Sequence, residues 1–563
     1  MTMEMLISLF GGLGLFIYGM NMMSDGLKTI AGDRMKRLLE ILTNNRFLGI
    51  LVGTVVTMIV QSSSTTTVMV VGFVNAGLMN LLQAIGVIMG ANIGTTITAQ
   101  MVALQVTKLA PIAITIGAGM FLFAKKKKTK HIGSVILGFG ILFTGIDFMS
   151  NAMKPLRDHE GFKAMLVSFS SNPILGVLAG FALTAIIQSS SASIGLLQAL
   201  AISGAFSNIP GVSPLDLVVP ILLGENIGTC VTAVLSSIGA SINAKRTAFV
   251  HFTMKVIGTL WFLILLGLTS LIFKGANPIY DFIISISGTT MLEGQMVPNV
   301  SREIANTHTL FNILNTIVLF PFAPALASLA ERVMPGKEEE DKGGLKFLDE
   351  RILENPAIAA GQAVKETVRM GQFAIENLGN ALKAFYDKDE VLVEKVFAKE
   401  KVINQLEKDI TQYLVALSNA NLSEVDDTRI TNLYHTINDV ERIGDHSENL
   451  VELAQYRIEN NVNLSDIAIG ELMEMADKVN SIVQDAISAL DRDDIELAET
   501  INKQEEEIDQ LEEILRARHI KRLNEQSCHP SSGVIFLDML SNLERIADHA
   551  TNISKSVLDL GEF

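Results

Sequence analysis

Two stretches of the chain set an amide and a row of hydroxyls into the middle of apolar sequence. Gln61-Ser62-Ser63-Ser64-Thr65 interrupts the run from Leu48 to Val74, and Gln188-Ser189-Ser190-Ser191 interrupts a second such run. A further polar motif follows each copy: Gly90-Ala91-Asn92-Ile93-Gly94-Thr95-Thr96, then Gly224-Glu225-Asn226-Ile227-Gly228-Thr229-Cys230. Carbonyls and hydroxyls are hard oxygen ligands that hold a sodium ion without a full charge. A break in the backbone frees further carbonyls for a cation, and its N–H groups and helix N-termini suit an anion. The expected site therefore holds sodium and a small anion together, between two repeats. Its ligand candidates are Gln61, Ser62, Ser63, Ser64, Thr65, Asn92, Thr95, Thr96, Gln188, Ser189, Ser190, Ser191, Asn226 and Thr229.

Glu225 breaks the symmetry, because its counterpart is Ala91. An ionisable side chain in a membrane segment is costly and is a functional candidate by default. It would add charge to a cation site or carry a proton; the competing reading is a carboxyl near the aqueous mouth or packed neutral against Ser or Thr. The membrane core offers no Arg, since Arg246 sits at a helix border and Arg157 in a loop. An anion would then depend on backbone dipoles, hydroxyls and co-bound cations. The structural alternative, that Ser and Thr only let helices pack or bond across them, is weakened by the duplication.

The elements that must position these residues are membrane helices. Residues 1–335 are apolar with few charges, whereas 337–563 are rich in Glu, Asp and Lys. The net charge of -16 thus belongs mostly to the second part and argues against nucleic acid as a partner. Roughly 20 apolar residues span a bilayer as a helix. Candidates are 3–23, 82–104, 109–123, 132–152, 215–238, 248–273 and 303–330, with a polar loop at about 275–302. In the first of these the basic residues follow the apolar run, so it reads as a retained helix and not a signal peptide. The pieces 47–60, 68–76, 173–187 and 194–205 are too short to span alone, and read as two re-entrant hairpins with polar tips at mid-membrane. Lys28, Arg34, Lys36, Arg37 and Arg46, then Lys125 to Lys128 and Lys130, place the first loop and the link between repeats inside. The repeats are then inverted, and the even number of crossings between Arg46 and Lys125 supports the hairpins. Each of the related elements Ala248-x-x-His251 and Ala305-x-x-His308 carries a His that reads as packed more readily than as a ligand. Two cysteines, Cys230 and Cys528, suggest no disulfide.

With these motifs in hand, residues 1–330 resemble the type II sodium–phosphate cotransporters, which carry paired Gln-Ser-Ser-Ser motifs in inverted repeats. The resemblance implies sodium-driven uptake of inorganic phosphate by alternating access, with Gln61 to Thr65, Gln188 to Ser191, Asn92 and Asn226 lining the site. This chain departs from the pattern at Ala192, where Thr65 stands in repeat one, and at Lys255, which takes the place Asn312 holds in the second Ala-x-x-His element.

Residues 336–356 read as a charged, Gly-rich linker. Beyond it the apolar spacing is helical, and a second repeat appears. Glu441-Arg442-Ile443-Gly444-Asp445-His446 matches Glu544-Arg545-Ile546-Ala547-Asp548-His549. Positions i and i+4 share one helix face, so Glu441 with Asp445, Glu505 with Asp509 and Glu544 with Asp548 are paired acids; a solvated face neutralised by Arg442 and Arg545 is the plain alternative. This tail resembles PhoU, the phosphate-uptake regulator. The resemblance implies two three-helix bundles and a divalent or trivalent metal on those six residues. The counterpart of Glu505 and Asp509, Glu400 with Asn404, has lost one acid.

The expected fold class is all-α. It comprises a polytopic membrane part with two inverted repeats (1–130 and 131–273), an external loop and last helix (274–335), and a cytoplasmic PhoU-like pair of three-helix bundles (357–563). The expected function is sodium-coupled symport of inorganic phosphate in the inner membrane. A carrier of carboxylate or sulfate, or a phosphate sensor, is the alternative. Membrane lipid is the other partner, a homodimer is left open, and no enzyme motif is present.

Overall fold

The computed structural model describes residues 2–40, 46–206, 209, 212–292, 294–336, 344–420, 422 and 424–561. The core of the linker, 337–343, and the insertion at Pro210-Gly211 lie outside the described residues. The chain forms two compact units, Met1–Glu338 and Glu339–Phe563.

The first unit opens with α1 (Met3–Glu40), α2 (Arg46–Val60), α3 (Ser63–Asn75), α4 (Leu81–Gly94), α5 (Thr96–Ala103) and α6 (Ala110–Phe123). The same order returns in α7 (Lys127–Met153), α8 (Glu160–Ser171), α9 (Pro173–Ile187), α10 (Ser190–Ile202), α11 (Pro214–Gly228), α12 (Cys230–Ser236) and α13 (Ile242–Ile272). It closes with α14 (Pro278–Ser287), the antiparallel strands β1 (Thr289–Leu292) and β2 (Gln295–Pro298), α15 (Val300–Leu319) and α16 (Ala323–Val333).

Glycine sets how closely these helices approach. In α2 against α4, a Cβ added at Gly53 would strike the Val87 carbonyl, and one at Gly90 the Ile50 carbonyl. The second repeat does the same in α9 against α11, with Gly180 on the Ile221 carbonyl and Gly224 on that of Val177. In α1 against α7, Gly19 meets Gly138 and Leu142, and Gly12 meets Gly145 and Met149. Small residues let membrane helices pack backbone to backbone where no hydrophobic force drives them together. Buried Phe16, Met23, Leu142, Phe143 and Met149 fill the space around the last pair.

Among the described residues, six stretches are long and apolar enough to cross a bilayer: Met3–Ala31, Leu81–Ala103, Lys127–Asp158, Pro214–Ser236, Ile242–Ile272 and Val300–Val333. The expected span at 109–123 is not among them. Its helix, with the preceding turn, covers only Thr107–Phe123, because the chain turns left-handed at Gln105 (φ 50) just before it. At 1.5 Å per residue α6 is ~21 Å long, short of the ~30 Å hydrocarbon core. The even crossing number inferred from sequence therefore rests on a helix that needs help to span. The short apolar pieces around both Gln-Ser-Ser-Ser motifs are separate helices, and α8 and α9 meet at a bend of 113°. The loop expected at 275–302 is more ordered than its polarity suggested. Asn277 caps α14, and Gly288 (φ 68) and Gly294 (φ 82) supply the positive φ that lets β1 and β2 fold back.

Among the described residues, the second unit has six α-helices: α17 (Pro356–Asp387), α18 (Glu390–Ser418), α19 (Glu424–Glu459), α20 (Asp466–Arg492), α21 (Ile495–Asn524) and α22 (Pro530–Gly561). α17, α18 and α19 pack on one another, as do α20, α21 and α22, and α19 joins α22 across the two sets. The duplicated histidines make that joint symmetric. His446 Nδ1 lies 2.9 Å from Asn542 Oδ1, and His549 Nδ1 lies 2.8 Å from Asp439 Oδ1.

Because the glycines of α4 and α11 touch carbonyls, Gly224→Ala should overpack the α9–α11 contact and destabilise the protein by about 3 kcal/mol. Gly119→Ala, where an added Cβ meets nothing within 4 Å, should be neutral or slightly stabilising. Melting of the detergent-purified variants checks this; equal midpoints for the two would mean that α9 and α11 do not approach so closely.

Candidate functional site

Both Gln-Ser-Ser-Ser motifs sit at breaks between helices, and both breaks have the same geometry. Gln61 (φ 56) and Gln188 (φ 57) are left-handed, a conformation that costs a side chain energy and persists where surrounding structure enforces it. The N–H of Gln61 reaches the Thr57 carbonyl at 2.7 Å, and that of Gln188 the Thr184 carbonyl at 2.7 Å. The next residue in each copy is the N-cap of the following helix. Ser62 Oγ accepts from Thr65 N at 3.2 Å, and Ser189 Oγ from Ala192 N at 3.2 Å. Thr66 and Ser193 then donate back to the Ser62 and Ser189 carbonyls at 3.0 and 3.1 Å.

The two motifs meet. Ser191 Oγ, from the second, donates to the Gln61 carbonyl of the first at 3.4 Å. Around Gln61 the remaining polar atoms are bonded inward: Ser24 Oγ donates to the Val60 carbonyl at 2.6 Å, Thr98 Oγ1 to Gln61 Oε1 at 3.0 Å, and the Gln61 amide to the Met58 carbonyl. Gln61 is only 3% exposed, whereas Gln188 is exposed. Ser63, Ser64 and Ser190 are buried at the starts of α3 and α10, and Thr65 is half-buried.

The second polar motifs are also breaks, between α4 and α5 at Thr95 and between α11 and α12 at Thr229. Thr96 Oγ1 donates to the Ile93 carbonyl at 2.8 Å and Thr229 Oγ1 to the Glu225 carbonyl at 3.0 Å. A hydroxyl that donates to its own helix keeps its lone pairs for another ligand. Asn92, Thr95 and Asn226 are buried. Glu225 is fully buried, and both of its carboxylate oxygens lack a partner. Asn226 Oδ1 instead accepts from Lys255 Nζ at 2.9 Å.

Sequence reasoning noted Lys255 only as a departure from a pattern and read His251 and His308 as packed residues, and it missed two other buried groups, Gln198 and Glu303. Gln198 Nε2 binds the Ala99 and Ser301 carbonyls, each at 3.0 Å, and so ties α10 to α5 and α15. Glu303 is 1% exposed with both oxygens unpartnered. His251 is fully buried with neither ring nitrogen partnered, and His308 is 1% exposed with Nδ1 unpartnered. No residue periodicity announces these groups, because polar residues are scattered around α13 and α15 and not gathered on one face.

In the second unit Glu505, Asp509 and Asp548 bring one carboxylate oxygen each within 4.8 Å of one another. Glu544 stands outside that trio but feels its charge. Burial first, then Asp548 and Asp509, push its carboxyl above the usual range; Glu505 is raised by burial, then Asp509 and Asp548, and Asp509 by burial, then Asp548 and Glu512. Glu441 and Asp445 form no such trio among the described residues; Arg442 lies 3.2 Å from Asp445 and 3.8 Å from Glu441. Their neighbour is Glu400, 2% exposed, with Asn377 donating to it at 3.4 Å. Burial, then the charges of Asp445, Glu448 and Glu441, push Glu400 up to about 8.

Two broken hairpins that touch inside an apolar helical unit, followed by a six-helix unit, define a multi-pass membrane transporter with a helical accessory domain, and not an enzyme. The chain belongs to the Na+/Pi-cotransporter family, which matches it twice, over residues 15–151 and 150–292; the PhoU domain matches twice more, over 367–454 and 472–557. Over 335 residues it is 31% identical to the "Uncharacterized protein YqeW" of Bacillus subtilis, covering 60% of this chain and 100% of that one. Over 558 residues it is 24% identical to the "Putative inorganic phosphate export protein YjbB" of Salmonella typhimurium, covering 98% of this chain and 97% of that one. A stretch of 102 residues is 40% identical to the "Sodium-dependent phosphate transport protein 2B" of Pongo abelii, covering 18% of this chain and 15% of that one.

The raised carboxyl of Glu400 has a sign that can be tested. Its folded pKa lies above its unfolded value, so the folded state holds a proton that the unfolded state has lost between pH 4.5 and about 8. Stability should fall as pH rises through that window. Chemical unfolding of residues 344–563 in chelator should show this slope, and Glu400→Gln should flatten it. A slope unchanged by the substitution would assign it to other carboxyls.

Proposed function

We propose that the membrane unit carries inorganic phosphate together with sodium across the inner membrane, and that the PhoU-like unit regulates it from the cytoplasm. The observation that carries this reading is the Ser191 hydroxyl on the Gln61 carbonyl, between two left-handed breaks. A carrier with repeats of opposite orientation needs one site shared by both, near mid-membrane, and built from interrupted helices. The hydroxyl and amide oxygens of Gln61 to Thr65, Gln188 to Ser191, Asn92, Thr95, Thr96, Asn226 and Thr229 supply sodium ligands there, with Glu225 as the charged one. The N-termini of α3 and α10 offer N–H groups to phosphate. The lysines at 125–128 and 130 favour an inside link between the repeats, which supports the inverted orientation. In such a symport net direction follows the sum of the two gradients, so one site serves uptake under a sodium gradient and release when phosphate outweighs it.

Purified protein in liposomes should take up labelled phosphate when sodium is outside and lose that uptake in potassium. Gln61→Ala and Gln188→Ala should each lower uptake at least about tenfold, or ~1.4 kcal/mol, with the melting point retained. Uptake that ignores sodium, or that follows sulfate or a carboxylate instead, overturns the reading. Phosphate binding without net movement would make the protein a sensor.

We also assign a divalent or trivalent metal to Glu505, Asp509 and Asp548, with Glu544 alongside. Acids held this close repel one another unless protons or a cation neutralise them, and carboxylate oxygens favour magnesium, manganese or iron over a thiolate-type zinc site. Residues 344–563 purified without chelator should contain metal that Glu544→Ala with Asp548→Ala loses. Equal content in the two proteins would reduce the cluster to surface charge.

A further inference from the structure

Lys255 is a cation placed where a membrane interior tolerates few. It is 1% exposed in α13, and its ammonium donates to one neutral acceptor, Asn226 Oδ1, at 2.9 Å. No carboxylate of the described residues lies within ion-pair distance of it; the oxygens of Glu225, one residue from Asn226, are unpartnered. Cys230, His251 and His308 complete the titratable surroundings within its electrostatic reach. A desolvated ammonium with a single amide partner is costly and poorly suited to holding helices together. Arg246, also a buried cation of the membrane unit, is fully occupied by contrast, bonding the Met334 and Gly336 carbonyls and Asn243.

Among the described residues, the first repeat has no such cation. The helix that follows its Gly-x-Asn-Ile-Gly-Thr motif, α6, reads Ala-Pro-Ile-Ala-Ile-Thr-Ile-Gly-Ala-Gly-Met-Phe-Leu-Phe and contains no Lys or Arg. No basic side chain of the described residues bonds Asn92. Two matched asparagine oxygens, both suited to a monovalent cation, thus differ in whether the chain supplies that cation itself. α13 also packs against α3, α4, α11 and α12, so its ammonium sits where both repeats converge.

We propose that the Lys255 ammonium permanently takes the place of one coupling sodium at Asn226, leaving sodium to bind on the Asn92 side of the site. This rests on the sodium-coupled reading above and narrows it. A tethered charge is not released, so one cation fewer is moved per phosphate than two equivalent halves would move.

The test counts sodium directly. Radioactive sodium bound to the full-length protein in detergent, with inorganic phosphate present, is measured at saturation. Lys255→Asn and Lys255→Gln should each bind about one more sodium per protein than the wild type. Their phosphate uptake should activate more steeply with sodium and recover as sodium is raised. An unchanged count with a raised phosphate KM would make Lys255 an anion ligand and overturn the proposal; an unchanged count with unchanged transport would make it a packing residue, with the same result. A second arm does not depend on the Lys255 variants folding. Asn92→Ala should weaken sodium binding about tenfold and Asn226→Ala far less; equal losses overturn the proposal. If wild-type uptake ignores sodium while Lys255→Asn still gains a sodium, the symport reading falls and the role of Lys255 stands.

Discussion

Each break in a helix inside apolar surroundings leaves backbone groups that lipid cannot satisfy, and the membrane unit is arranged around supplying them with partners. At the first break the side chains of Ser24, Thr98 and Gln61 itself bond inward, and Ser62 caps the next helix. The inward-turned groups account for much of the motif's polarity. What remains is the Gln61 carbonyl, which accepts from Ser191 of the other repeat. The residues that bring two repeats to a common point are therefore those that complete the breaks. The glycine contacts serve the same end, because they let α2 lie directly on α4, and α9 on α11, next to the breaks.

The doubled motifs made the breaks legible in the sequence, since hydroxyl runs too short to be loops and too polar to be spans recur in the same order. The first serine of each motif was legible only as a ligand; its capping role depends on a helix starting at the next residue, which composition does not announce. Lys255 was visible as an oddity, but periodicity cannot say where a charge points on a helix without one clear polar face. The shortness of α6 escaped for a similar reason, as Gln105 gives no warning of its left-handed turn. In the second unit the duplication revealed the acidic stripes, while Glu400 was discounted for lacking a partner at i+4. Its partners come from α19 instead. The histidines of the same duplicated motif join α19 to α22 symmetrically, a contact between helices distant in sequence that one-dimensional spacing does not encode.

The two repeats agree in backbone and disagree in side chains. Both carry a left-handed Gln, a capping Ser and a glycine in contact with a carbonyl. Yet Glu225 has Ala91 for its counterpart, the α6 that corresponds to the helix of Lys255 contains no Lys or Arg, and Gln188 is exposed where Gln61 is buried. For a carrier that alternates between two arrangements, matched backbones make the two nearly equal in energy, because each repeat can adopt the other's packing. Unmatched charges then decide which arrangement is favoured and by how much, since a buried carboxylate and a buried ammonium each cost energy that depends on what has bound beside them. In the proposed symport, symmetry supplies the capacity to switch, and the few residues that break it are those placed to couple the switch to ions.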